Sequence, residues 1–159
     1  MLKRVALAVL VLAAAPLFAQ DGDAAKGKEL VAANGCTRCH RIGDTGSRVG
    51  PNLTDIGDRR TPDRLETSIL QPDAEVLPEN RFVLVTMKDG TTVRGRLLNH
   101  DAISVQLLDG KEQLRSIELK DAKGYQILTK GLMPSFQGKL SPEQVKDVVA
   151  YLSSLKGSE

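Results

Sequence analysis

The apolar positions of this chain change their spacing twice. Asp23 can cap a helix running to about Ala33, with Leu30 and Val31 as its apolar face and Gly27 one turn earlier. Thr61-Pro62-Asp63 reads as a second helix start, with a capping threonine, proline at the first position and an acidic first turn. Leu65, Ile69 and Leu70 give that helix its apolar face, and Gln71-Pro72 ends it. From Arg81 to about Thr129 the helical period disappears. The run Phe82 to Met87 is a strand candidate, with Asp89-Gly90 as a hairpin signal behind it. Val93, Gly95 and Leu97 then alternate with polar residues, as do Ile103, Val105 and Leu107 before a second Asp-Gly at Asp109-Gly110. Leu114 to Leu119 and Tyr125 to Leu128 complete four or five short antiparallel strands. The helical period returns after Ser141-Pro142-Glu143-Gln144, a capping box ahead of Val145, Val148, Val149 and Leu152, extended by Tyr151 and Leu155.

This order predicts an α+β fold. Its helical core comes in two pieces, residues 20–76 and 130–159, and a small antiparallel β-module over 77–129 is inserted between them. The module is too long for a structureless loop. It is either an open sheet or a partly closed barrel of the SH3-like kind. Gly27 inside a helix costs ~1 kcal/mol against alanine, and two readings follow: a tolerated surface glycine, or a close helix crossing with a bulky side chain from elsewhere filling the notch.

The N-terminus changes the picture of where the chain works. Lys3-Arg4, the apolar run Val5 to Phe18 and the small Ala19 read as a cleaved export signal over residues 1–19. The run is shorter than the ~20 residues a membrane span needs. The mature chain is expected to begin near Gln20, in the periplasm. Loss of Lys3 and Arg4 brings the 22 basic residues down to balance the 20 acidic ones. A near-neutral protein is a poor candidate for nucleic acid or an anionic membrane surface. Aromatics are 3% and tryptophan is absent, so a large flat cofactor would supply bulk that the core lacks.

Candidate chemistry is concentrated at Cys36-Thr37-Arg38-Cys39-His40. C-x-x-C-H is the attachment pattern of c-type haem. Two thiols three residues apart on one helical turn can add to vinyl groups of one porphyrin edge, and the next histidine is delivered beneath the iron. A thioredoxin-like pair would need a strand before it and a βαβ setting. A zinc site would want four ligands, yet the chain has two cysteines and two histidines, with His100 remote. A disulfide between Cys36 and Cys39 would close a tiny loop and stabilise little.

Helix, C-x-x-C-H, a glycine-rich loop from Gly43 ending in Gly50-Pro51-Asn52-Leu53, helix, Met133-Pro134 and a terminal helix together resemble a class I monohaem bacterial cytochrome c. The inserted β-module resembles haem-c modules associated with propeller-type dehydrogenases. The resemblance covers about residues 23–72 and 131–155. It implies that the Pro51 carbonyl accepts a hydrogen bond from His40 Nδ1, orienting the ring and raising its basicity. It also implies that Gly27 meets Tyr151 or Leu152 where the first and last helices cross. Met133 becomes the candidate second axial ligand, projected from a loop by the proline that follows. Met87 reads as core and His100 as a surface residue. One of Arg59, Arg60 and Arg64 is expected to pair with a haem propionate, the bland alternative being a solvated basic cluster.

These residues predict one covalently attached haem c, with Cys36, Cys39, His40, Pro51 and Met133 at the cofactor and His40 and Met133 on the iron. Two axial ligands leave no open site for substrate, so the expected role is one-electron carriage and not catalysis. The expected partners are transient redox proteins, a periplasmic dehydrogenase as donor and a cytochrome or oxidase as acceptor. Two other readings stand beside this one: a ligand sensor with a displaceable methionine, and a non-catalytic docking subunit of a dehydrogenase complex.

Overall fold

The computed structural model describes residues 22–157, so the expected signal over 1–19 lies outside the described residues. In chain order the elements are α1 (Ala24–Ala33), β1 (Arg41–Ile42), β2 (Thr45–Gly46), α2 (Ile56–Arg59), α3 (Pro62–Leu70), β3 (Phe82–Met87), β4 (Thr92–His100), β5 (Ser104–Asp109), β6 (Leu114–Glu118), β7 (Ala122–Ile127) and α4 (Pro142–Ser154). The fold is α+β, as the change of apolar period predicts.

The helices form where their ends are satisfied. The Asp23 carboxylate accepts the Ala25 and Lys26 amides at the start of α1. At α4 the Ser141 hydroxyl accepts the Gln144 amide, and the Gln144 side chain accepts the Ser141 amide in return, a complete capping box. Thr61 stands at the start of α3 as expected, but its side chain caps nothing there. Pro62 has no amide to offer, and its fixed φ starts the helix without help.

The helices share one apolar cluster of Val31, Ile56, Leu65, Ile69, Val148 and Leu152. Its tightest point is the crossing of α1 over α4. A methyl group on Gly27 would lie 2.8 Å from Tyr151 Cβ and closer still to the Asp147 carbonyl, so the notch expected from the sequence is filled by Tyr151 and the α4 backbone. The Asp23 amide donates to Asp147 Oδ1 at 2.7 Å and fixes the same crossing.

The five strands β3–β7 form one antiparallel sheet in the order β6-β5-β4-β3-β7. Its inward positions alternate as the sequence does: Val83, Val85, Val105, Leu107, Ile117 and Ala122 make a second apolar cluster. Of the two expected shapes, the open sheet is observed. β6 and β7 are its two edges and do not pair with each other. The sheet still curls: β4 carries an irregularity between Leu97 and Asn99, and His100 at its end hydrogen-bonds Tyr125 of β7 at 3.2 Å. β7 begins earlier than Tyr125, because a 3₁₀ turn over Leu119–Asp121 returns the chain alongside β3 at Ala122.

Both Asp-Gly pairs mark hairpins, but by different means. Gly90 takes φ +90° in the β3–β4 turn. In the β5–β6 turn the left-handed residue is Glu112 at φ +60°, two residues beyond Gly110, because the Asp109 carboxylate accepts the Lys111 and Gln113 amides and sets the turn. The sheet segment begins and ends at one place: the Leu128 amide donates to the Phe82 carbonyl at 2.8 Å.

Gly27→Ala forces α1 and α4 apart, so it should lower stability by about 1–3 kcal/mol, the range for overpacking. Thermal or urea unfolding checks this. A wild-type midpoint would show that the crossing tolerates a methyl group.

Candidate functional site

Asn34 and Gly35 end α1, with Gly35 left-handed at φ +67°, and the chain enters a 3₁₀ turn over Cys36–Arg38. The cysteines therefore sit on a 3₁₀ turn and not on an α-helical one. The Cys36 carbonyl accepts both the Cys39 amide at 3.2 Å and the His40 amide at 2.9 Å, which ties the three motif residues together. The two thiols are free, with Cys36 half-buried and Cys39 exposed. Burial pushes the Cys36 thiol above its ordinary value.

His40 Nδ1 lies 2.8 Å from the Pro51 carbonyl oxygen. A carbonyl only accepts, so Nδ1 carries the proton and the Nε2 lone pair is the ring's free donor. Burial lowers the imidazole's affinity for a second proton, and the Pro51 bond opposes this only in part. The ring is thus neutral at neutral pH, the state in which an imidazole binds iron.

The expected glycine-rich loop is more ordered than its composition suggests. Arg41↔Gly46 and Ile42↔Thr45 pair β1 with β2, turning at Gly43 with φ +59°. The Gly43 amide donates to Thr54 Oγ1 and the Leu53 amide to the Arg41 carbonyl, so this hairpin holds the segment after Pro51. Asn52 Oδ1 accepts the Thr54 amide and hydroxyl. Arg59 reaches back from α2 to the Asn52 carbonyl at 2.6 Å while pairing with Asp55 at 2.7 Å. Gly50 is needed for space: a Cβ there would lie 3.1 Å from His40 Nδ1 and Cε1 and 2.9 Å from the Cys39 carbonyl. In the sequence Gly50 is only the end of a glycine-rich loop, and nothing local to it shows the contact with the His40 ring.

Met133 is half-buried on a loop fastened to the end of α3. The Gly131 amide donates to Asp73 Oδ1 at 2.9 Å, the Ser135 hydroxyl to the Leu70 carbonyl at 2.6 Å, and the Phe136 amide to the Ile69 carbonyl at 3.1 Å. Cys36, Leu53 and Phe136 all pack against the helical cluster, so the motif, the Pro51 loop and the Met133 loop border one core. Met87 instead packs against the sheet cluster, and His100 is exposed beside Tyr125. Arg60 and Arg64 both end on Glu75, and Arg59 on Asp55 and the Asn52 carbonyl, so all three arginines have partners within the chain.

The residues present fit a c-type haem: two unbonded thiols on one turn, a neutral histidine oriented by a backbone carbonyl, and a glycine leaving room for its ring. Among the described residues no three His, Cys, Asp or Glu side chains gather into a metal site, so the zinc alternative has no ligand set there.

The sequence model of the cytochrome c family matches residues 24–106, just over half of the 159-residue chain, and the chain belongs to that family. The match includes Cys36, Cys39, His40 and Pro51 and ends within β5, before Met133. No curated protein matches the chain.

Gly50→Ala should push the loop off the His40 ring and lower the stability of the loaded protein by about 1–3 kcal/mol. Unfolding followed by haem absorbance, with a parallel reduction-potential measurement, reads both effects. Unchanged values in both would mean that Gly50 does not hold the ring.

Proposed function

We propose that the chain is an exported monohaem cytochrome c, working in the periplasm as a one-electron carrier between a dehydrogenase and another cytochrome or an oxidase. The observation that carries the reading is the 2.8 Å contact of His40 Nδ1 with the Pro51 carbonyl beside the free Cys36 and Cys39 thiols. Haem c, when bound, supplies a ferrous–ferric couple at a potential set by its axial ligands and surroundings.

Cys36 and Cys39 anchor the group covalently in this reading, and His40 offers Nε2 to the iron while its Nδ1–H stays on Pro51. Met133 is the second ligand, delivered by a loop whose bonds to Ile69, Leu70 and Asp73 hold it to the helical core. With His40 and Met133 both holding the iron, no position would be left for substrate, which would favour electron transfer over substrate chemistry. Residues 77–129 are an inserted module with an apolar cluster of their own, and residues 20–76 with 130–159 are the haem core. Encounters with redox partners are expected to be small and transient. No helix among the described residues is long and apolar enough to cross a membrane.

Two tests bear on this function. Acid-acetone extraction of protein made with haem-maturation machinery should leave the haem on the polypeptide, and Cys36→Ala with Cys39→Ala should lose it. Haem released from the unaltered protein would refute covalent attachment. Met133→Ala should lower the reduction potential and open the iron to carbon monoxide, whereas Met87→Ala leaves both unchanged. Carbon monoxide binding to the unaltered ferrous protein would favour the sensor reading instead.

A further inference from the structure

Three hydrogen bonds from the sheet fall on Arg48, in the loop after the cysteine motif. Glu112, in the β5–β6 turn, accepts the Arg48 backbone amide through Oε1 at 3.3 Å and the Arg48 guanidinium through Oε2 at 3.3 Å. Arg96 of β4 donates to the Arg48 carbonyl at 3.2 Å. Both polar backbone atoms of Arg48 are therefore held from the sheet.

The loop itself lies on the motif turn at either side of Arg48. The Ser47 amide donates to the Thr37 carbonyl at 3.1 Å, and the Gly50 amide to the Cys39 carbonyl at 2.7 Å. The next residue, Pro51, supplies the acceptor for His40. A push on Arg48 has a path of three residues to the atom that orients the imidazole.

Glu112 also occupies a left-handed backbone position, at φ +60°, which disfavours a side chain with a Cβ. Such positions persist where the surroundings hold them. Here the position places the carboxylate on Arg48, while the Asp109 carboxylate fixes the rest of the turn.

We propose that Glu112 is a positioning residue for His40: through Arg48 it holds residues 47–51 against the motif turn and so sets the length of the bond between His40 Nδ1–H and the Pro51 carbonyl. The consequence for iron rests on the cytochrome reading above. A short bond gives the imidazole more anionic character and favours ferric iron, and a loosened one raises the potential. The sheet then contributes to the redox centre through a chain of contacts, without supplying a ligand.

Glu112→Ala, Glu112→Gly and Glu112→Gln in the haem-loaded protein separate this role from a structural one. Glycine suits the left-handed backbone, so Glu112→Gly should keep more thermal stability than Glu112→Ala. Both should nevertheless raise the reduction potential, and both should speed solvent exchange of the His40 Nδ1 proton, read by NMR, by about two- to fivefold, the range set by one exposed ion pair. Glu112→Gln keeps an acceptor for the Arg48 amide and should stay near wild type in both readouts. An equal potential shift in the glutamine and alanine variants with unchanged proton exchange would make the effect one of charge alone and overturn the proposal. So would wild-type values in all three variants. Failure of the unaltered protein to carry covalent haem would instead remove the cytochrome reading, a result that extraction reports before any variant is made.

Discussion

The hydrogen bond from His40 Nδ1 to the Pro51 carbonyl is the constraint on which the site depends. An imidazole on a freely rotating stem presents its lone pair in no fixed direction, and in either tautomer. Accepting the Nδ1 proton settles both at once. The carbonyl can do so because its loop is tied on several sides: Leu53 to Arg41, Gly43 to Thr54, Gly50 to Cys39, and Arg59 to the Asn52 carbonyl. Burial acts in the same direction by keeping the ring neutral.

Helical packing brings these tied segments onto one core. α1 delivers the motif turn, α3 receives the Met133 loop, and α4 crosses α1 where Gly27 admits the Asp147 backbone and Tyr151. The sheet has a separate apolar cluster and meets the motif loop through Glu112 and Arg96. The Arg48–Glu112 ion pair is exposed enough to be worth about 0–1 kcal/mol. The role proposed for it is positional, not energetic.

Much of this was legible from local sequence. The capping box at Ser141, the strand at Phe82 to Met87, the crossing at Gly27 and the motif itself each depend on residues close in the chain or on steric rules for one residue. What was missed depends on partners far apart in sequence. Nothing local joins Arg48 to Glu112, and nothing in Gly50-Pro51 shows a histidine ring lying on the glycine. The two-residue strands β1 and β2 were not expected, and β2 lies in the stretch read as loop, because Arg41–Ile42 and Thr45–Gly46 are too short for an alternating pattern. The second Asp-Gly marks its hairpin, but nothing local shows that the left-handed residue is Glu112, in a turn set by the Asp109 side chain. The family match, which ends within β5, covers the motif and Pro51, while the case for Met133 rests on its Met-Pro loop and the way that loop is fastened to α3.

The central proposal is that His40 and Met133 would hold the same iron. Iron-edge X-ray absorption of the exported protein, oxidised and reduced, tests it most directly. The account predicts a sulfur neighbour beside the porphyrin and imidazole nitrogens in both states, with the sulfur lost in Met133→Ala. A first shell of nitrogen and oxygen alone, or a sulfur that survives removal of Met133, would contradict it.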